Sequence, residues 1–511
     1  MISETEKNKR ILKNSLLLYI RLLLTMAIGL YTSRVVLRIL GVEDYGVYNV
    51  VAGFVSMFSL LTGSLSNSIS RFLTFTLGKG NQEKLDQIFS TSVLVQIVLA
   101  IFVVLALEIF GLWFFNNKLN IPNDRLVAAN WVYQLSVLAF AINLISIPYN
   151  ACIIAHEKMG AFAYIGIIEV SLKLLIVFSL SLFPHDKLII YALLLVAVSI
   201  SIRLIYGWYC KRKFRECRRL KIHLDKTLLK EMTEFAGWNF LGNASTILGT
   251  QGTNVLMNIF FGVVVNAARG VTNQIETVVK QFVSNITTAI NPQITKSYAE
   301  GNFEYMNVLI RKSAKYSVCL ILLFAVPFWF EAENILKLWL GNVPAHANVF
   351  LRLALLGIVI DMSGNSLAIA VWSSGKIKKY YIYIGLIGLL VLPVTYVLYR
   401  FNFPAYYSYV SYIAVYSIIQ IVRLFIAKSE IPFDITLYVK DVYLRSAIVA
   451  LVSVLFSLIP YTLIQQECLT KSIVIVLISI ASVACSTYFW GLDCSERRFV
   501  IAKFKKFFRM T

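Results

Sequence analysis

Apolar segments of about twenty residues recur along this chain from Ser15 to Trp490, parted by short polar turns. A helix of that length, rising 1.5 Å per residue, crosses about 30 Å, the thickness of a bilayer's hydrocarbon. In that medium every backbone N–H and C=O needs an internal partner, so segments of this length span as helices. The pattern therefore leaves one class, an all-α polytopic membrane protein. Only 15% of the 511 residues are charged and 58% are hydrophobic, against about 25% charged in ordinary soluble domains. The sequence predicts no separate soluble domain. It also shows no signal-peptide cleavage site before the first span.

Fourteen spans are expected. Six lie at about 14–40, 46–70, 88–115, 126–155, 161–183 and 188–210. Six more follow at about 233–260, 262–291, 308–336, 349–373, 380–400 and 405–427, and two close the chain at 442–464 and 471–491. The most basic loop, 211–230, reads as the middle of the molecule. The expected organisation is a six-helix bundle over 1–210, a basic linker, a second bundle over 231–430, and two further helices with a basic tail over 431–511.

The net charge of +21 would point to nucleic acid in a soluble protein. Here Lys and Arg gather in alternate loops, which puts both termini in the cytoplasm by the positive-inside rule and leaves nucleic acid out. Phe499, Phe504, Phe507 and Phe508 among the basic residues of the tail suit a segment lying on an anionic leaflet, or a plain solvated tail. The seven Cys (152, 210, 217, 319, 468, 485 and 494) show no metal-ligand spacing, and the four His (156, 185, 223 and 346) do not cluster. No metal or other cofactor is expected. His156, in the stretch His-Glu-Lys-Met-Gly, reads as part of a short basic turn.

The stretch Gly262–Pro292 combines spanning length with a polar stripe. Arg269, Asn273, Glu276, Lys280, Ser284, Thr287 and Asn291 recur at steps of three and four, and so share one helix face. Glu276 and Lys280 form either an i,i+4 pair or part of a water-filled pathway, and the latter accounts for the stripe above and below them. Other charges lie within spans: Arg34 and Arg38, Glu169 and Lys173, Arg352, and Asp361 near mid-depth. Arg203 and Arg423, toward inner ends, are expected to snorkel. A cavity with a basic excess attracts an anion, and a phosphate or pyrophosphate headgroup is the large anion a bilayer offers. In the seventh span Asn239, Asn243, Ser245, Thr246, Thr250, Gln251, Thr253 and Asn254 offer hydrogen bonds to sugar hydroxyls, while Gly242, Gly249 and Gly252 allow close helix approach.

Sliding the chain by 221 residues lays Gly41 on Gly262 and Gly80-Asn81 on Gly301-Asn302, without a gap from 41 to 92. Six spans per repeat give both halves one orientation, a pattern of transporters with a site between halves and also of a duplicated channel. The stripe's first-half mates include Tyr48, Ala52, Val55 and Ser59, none charged. There is no Walker phosphate loop, HExxH, GxSxG or CxxC, so these common catalytic motifs are absent.

The motifs Arg34-x-x-x-Arg38-x-Leu40-Gly41, Asp44-Tyr45-Gly46-x-Tyr48, Arg71-Phe72 before Gly78-Lys-Gly80-Asn81, and Asn266-x-Ala-Arg269-Gly270 resemble those of bacterial polysaccharide-biosynthesis flippases. These belong to the multidrug/oligosaccharidyl-lipid/polysaccharide flippase superfamily, and the likeness runs over essentially the whole chain. It implies two parallel six-helix repeats in a V around a central cavity, with two helices appended. It implies transport of undecaprenyl-pyrophosphate-linked oligosaccharide from the cytoplasmic to the periplasmic leaflet of the inner membrane, by alternating access and coupled to protons or sodium. It offers Arg34, Arg38 and Arg269 as headgroup contacts. The stripe and the buried charges add Lys173, Asn273 and Lys280 for substrate, and Glu276 and Asp361 for ion coupling. Membrane lipids and the polysaccharide polymerase machinery are the other expected partners. Two alternatives stand beside this one: a cation-coupled drug exporter of the same fold, whose cavity should be acidic, and a membrane enzyme of glycan polymerisation.

Overall fold

The computed structural model describes residues 4–501, apart from 60–65, 67–68, 71, 75, 78–79, 157, 183, 185, 219–246, 375–376, 465–468, 495 and 499–500. Side chains are described from residue 21 onward, some within helices excepted. Asn239, Gly242, Asn243, Ser245, Thr246, His185, His223, Cys468 and the tail's four phenylalanines lie outside the described residues. So do most of the linker and part of the second span.

Among the described residues the regular structure is helical, and eleven helices are long and apolar enough to cross a membrane. The order is α1 (Glu4–Ser56), α2 (Gln82–Ala106), α3 (Leu112–Lys118), α4 (Leu126–Ala155), α5 (Met159–Ser179), α6 (Lys187–Lys213), α7 (Thr253–Phe261) and α8 (Val263–Ala299). There follow α9 (Phe303–Leu340), α10 (Ala347–Met362), α11 (Asn365–Ser373), α12 (Ile377–Leu389), α13 (Val391–Arg400), α14 (Tyr407–Glu430), α15 (Ile435–Tyr438), α16 (Arg445–Leu463) and α17 (Leu469–Ser486). At 37 residues α8 also has spanning length, but its polar stripe keeps it out of the eleven. The expected fourteen spans are compatible with this set.

The 221-residue offset holds in the backbone. Gly41 (φ 83°, ψ 172°) breaks α1, and Gly262 (φ 79°, ψ −175°) parts α7 from α8. This combination of positive φ with extended ψ is essentially restricted to glycine. Gly80 and Gly301 match too, at φ 69° and 73°. Asn81 then caps α2 by accepting from the Lys84 N–H, and Asn302 caps α9 by accepting from the Tyr305 N–H. Helices α2 and α9 begin at corresponding residues, as do α4 and α10, and α6 and α14 begin within one residue of correspondence.

The chain divides into two compact units. The first is Met1–Gln274 with Thr395–Arg400, and the second is Ile275–Val394 with Phe401–Thr511. The division falls inside α8, whereas the boundaries expected from sequence follow the repeat. Local packing explains why the first unit keeps α7 and the start of α8. A Cβ on Gly46 would lie 2.0 Å from the Val263 carbonyl oxygen, one on Gly53 2.6 Å from the Asn254 amide, and one on Gly270 2.5 Å from Asn49 Oδ1. Glycines thus bring the second part of α1 into backbone contact with α7 and α8. Asn254 donates to the Asn49 carbonyl at 3.1 Å, and buried Asn266 donates to the Asn254 carbonyl at 2.8 Å. Asn120 and Asn258 exchange two bonds of 2.7 and 3.1 Å. Around this seam lies an apolar core of Val47, Val50, Val51, Leu107, Phe115, Val132, Tyr133 and Leu144.

In the second unit α9 is the central element. Pro327 removes one of its backbone donors, and the helix kinks at Glu331 (φ −112°, ψ 22°). Buried Glu331 accepts from Asn334 and from Ser472, each at 2.7 Å. The last two long helices pair through serines, Ser453 with Ser486 at 2.6 Å and Ser457 with Ser482 at 3.3 Å. They join α9 through charge: Lys315 donates to Glu496 at 2.8 Å and Tyr316 at 2.6 Å. Arg445 pairs with both Asp441 and Asp493.

Candidate functional site

A cavity of about 540 Å³ opens within the first unit. One face from each of several helices lines it, as the spacing requires. From α1 come Tyr48, Ala52, Val55 and Ser56, and Ser59 follows just after its end. From α4 come Ser136, Asn143, Ser146 and Asn150, and from α6 Ser199 and Tyr206. These steps of three, four and seven put each set on one side of its helix. Hydroxyls and amides therefore dominate the polar part of the wall.

Three charged residues complete it: Arg21, Glu169 and Lys173. Lys173 donates to Glu169 at 2.6 Å, one turn apart on α5, and both keep more than a third of their side chains exposed. Among the described residues no acid pairs with Arg21. Its guanidinium lies 4.2 Å over the Phe162 ring, and a Cβ on Gly166 would come within 2.2 Å of its Nε. Small Gly166 thus makes room for the Arg21 stem, and Phe162 holds its head by cation–π attraction. The three charges sum to one positive.

The repeat connects this wall to the polar stripe of α8. Tyr48, Ala52, Val55 and Ser59 all line the cavity, and they are the positions 221 residues before Arg269, Asn273, Glu276 and Lys280. The stripe is thus the second repeat's version of a cavity-lining face, with charge where the first repeat has small or neutral residues.

Of the residues picked from sequence, Lys173 lines the cavity. Arg34 and Arg38 are exposed and do not line it. Arg269 is 6% exposed and Asn273 half-buried. Lys280 and Glu276 approach to 3.5 Å, so the i,i+4 pair forms. Asp361 receives Arg423, whose Nη1 donates to the Asp361 carbonyl at 3.0 Å and to Oδ1 at 3.3 Å. Arg423 therefore does not snorkel. It is buried, because a carboxylate and a carbonyl from α10 receive it inside the second unit.

The Asp-Tyr-Gly motif acquires a structural account. Asp44 takes Arg125 through two bonds of 2.7 and 2.6 Å, and the same guanidinium reaches Asp186 at 2.7 Å. Asp186 also caps α6, accepting from the Leu188 and Ile189 N–H groups. Burial raises the Asp186 carboxyl pKa, but Arg125 and these amides more than offset that and hold it below the ordinary value. Tyr45 is buried, and Gly46 meets the Val263 carbonyl.

A second group lies where the sequence predicted no clustering. Cys152, His156 and Glu216 place one ligand atom each within 4.8 Å of one another. Burial opposes protonation of His156, but bonds to Cys152 and Glu216 outweigh it and lift its pKa to about 9. The available signal was Cys152-x-x-x-His156, an i,i+4 pair at a helix end. Its partners Glu216 and Cys217 lie some sixty residues on, a distance no local pattern spans.

The family described as "Polysaccharide biosynthesis protein" matches residues 11–298. The uncharacterized membrane protein EpsK of Bacillus subtilis (strain 168) is 19% identical over 319 residues, which is 62% of this chain and 63% of that protein. Among solved structures, the lipid II flippase MurJ in an inward closed conformation superposes with a TM-score of 0.66 at 13% identity, covering 92% of this chain and 98% of that one. An inward-facing MATE family multidrug resistance transporter of the MOP superfamily superposes at 0.65 and 12% identity, covering 80% and 94%. At such identities the likeness is one of fold.

Proposed function

Since this chain belongs to the polysaccharide biosynthesis protein family, we propose that it is a flippase for undecaprenyl-pyrophosphate-linked oligosaccharide, moving it from the cytoplasmic to the periplasmic leaflet by alternating access. The observation that carries this reading is the first unit's cavity, with its hydroxyl- and amide-rich wall and net positive charge. Amides and hydroxyls hydrogen-bond sugars, and guanidinium and ammonium groups bind phosphate oxygens. A cationic drug would find no acidic excess there.

Arg21 and Lys173 hold the pyrophosphate in this proposal. Arg34, Arg38, Arg269, Asn273 and Lys280 meet the headgroup or sugars at other points of its passage. Glu276 and Asp361 are the two candidate acids for proton or sodium coupling, each paired with a base, Lys280 and Arg423 respectively. The alternating basic loops support an inner-membrane orientation with cytoplasmic termini.

Replacing Arg21 by Ala should lower surface polysaccharide at least tenfold while the protein remains in the membrane at its normal level. Full polysaccharide in that variant would overturn the role given to the cavity. Turnover of a lipid-linked sugar by the purified protein in detergent, where no sidedness exists, would overturn the flippase reading in favour of an enzyme.

A further inference from the structure

We infer that the end of the first unit where α4 and α6 meet binds a zinc-type divalent transition metal through Cys152, His156 and Glu216, with the Cys217 thiol beside Cys152 as the further donor. Cys152 and His156 sit one turn apart at the end of α4. Glu216 and Cys217 are adjacent just after α6. The Sγ atoms of Cys152 and Cys217 are 3.6 Å apart. Two thiolates on one tetrahedral zinc, each at about 2.3 Å, lie about 3.8 Å apart, so this pair already has the bite the ion requires. Cys152 Sγ is 3.5 Å from Glu216 Oε1, and His156 Nε2 is 2.5 Å from that same oxygen. The imidazole therefore aims Nε2 inward. Admitting the ion opens the His156–Glu216 contact by about 1 Å, given zinc–nitrogen and zinc–oxygen bonds near 2.1 Å.

The surroundings fit a closed, structural site. Cys152, Cys217 and Glu216 are 0%, 1% and 2% exposed. The Phe214 ring stacks on His156 at 4.1 Å and fixes its plane. Cys210 donates its Sγ–H to the Tyr149 carbonyl, 3.5 Å away, and its thiol also reaches Cys217. Two thiols, an imidazole and one carboxylate form a soft-to-borderline set that selects zinc over magnesium or calcium. On the orientation proposed above this end faces the reducing cytoplasm, where a Cys/His group is more often a metal site than a disulfide. Binding releases thiol protons and the proton of the His156 imidazolium, and it staples the end of α4 to the segment that leads into the basic linker. Nothing in this site depends on the transported substrate.

The test uses the full chain, purified in detergent without chelator and freed of any histidine tag. Wild-type protein should retain about one zinc per chain by elemental analysis. The Cys152→Ser/Cys217→Ser double variant should retain at least tenfold less, with Cys319→Ser, elsewhere in the protein, unchanged. Cobalt added to demetallated wild type should give a thiolate-to-cobalt charge-transfer band that the double variant lacks. Wild type that holds no zinc and gives no cobalt band overturns the inference without reference to any variant. A Cys152–Cys217 disulfide found by mass spectrometry in freshly isolated protein overturns it as well. Wild-type protein that holds zinc yet moves no lipid-linked oligosaccharide across a membrane would count against the flippase reading alone.

Discussion

Gly41 and Gly262 carry the same unusual backbone at matching points of the repeat. A Cβ at Gly41 would meet nothing within 4 Å, and one at Gly262 only the Asn120 amide at 3.7 Å. Space therefore does not demand glycine at either position; the dihedral angles do. Alanine held at such angles costs about 1–3 kcal/mol. We expect Gly262→Ala to lower the melting temperature in detergent, and Gly249→Ala, in a buried position with ordinary φ and no described atom within 4 Å of a Cβ, to lower it much less. Equal effects would remove the conformational explanation. Gly46 is a different case: there the obstacle is the Val263 carbonyl, a fixed backbone atom. The sequence made these glycines visible as repeat landmarks and family motif positions. It could not say which served a dihedral angle and which a close approach, because that depends on what packs opposite.

At the scale of helices, Arg125 binds three segments by their ends. One guanidinium serves Asp44 after the break in α1 and Asp186 at the start of α6, while itself preceding α4. All three side chains are partly exposed, so the pairing is screened. Losing charge-assisted hydrogen bonds to two acids still costs about 2 kcal/mol. Arg125→Ala should therefore destabilise the protein measurably in a thermal or denaturant melt, whereas Arg400→Ala, at an exposed site in the same unit, should not. No difference between the two would show the clamp to be energetically idle. Helix α8 shows the opposite balance of sequence and structure. Its polar stripe was legible from spacing alone, and so was the possibility of a Glu276–Lys280 pair. The correspondence of that stripe with the cavity wall of the first unit needed the cavity to be seen. The serine and asparagine positions of α4 are equally periodic, but uncharged side chains in a span do not by themselves demand a polar surround.

Across the whole molecule, the two appended helices hold to α9 through a charge network centred on Glu496. Burial raises the Glu496 pKa, but Lys315 and Tyr316 hydrogen bonds outweigh it and hold the carboxyl below its ordinary 4.5. A depressed pKa contributes stability above the unfolded value and loses it as pH falls through the folded one. The contribution is therefore intact at neutral pH and is lost progressively as pH falls from about 4.5 through the depressed folded value. The melting temperature should drop between pH 6 and pH 3.5, and Glu496→Gln should melt lower at pH 6 while losing part of that drop. A variant with the full wild-type drop would show that Glu496 is not the titrating group.

The sequence by itself determined the membrane class, nearly all the described spanning segments, the 221-residue repeat and the family, because hydropathy, helix period and glycine punctuation are local properties. The tertiary structure alone decided which charges are engaged and which line a cavity. Asp361 meets Arg423 across 62 residues, Asp44 meets Arg125 across 81, and Cys152 meets Cys217 across 65. A charge in a span announces that it needs a partner, since an isolated one is costly in hydrocarbon. Which partner it finds is set by how helices pack side by side, and the order of residues along one helix does not contain that.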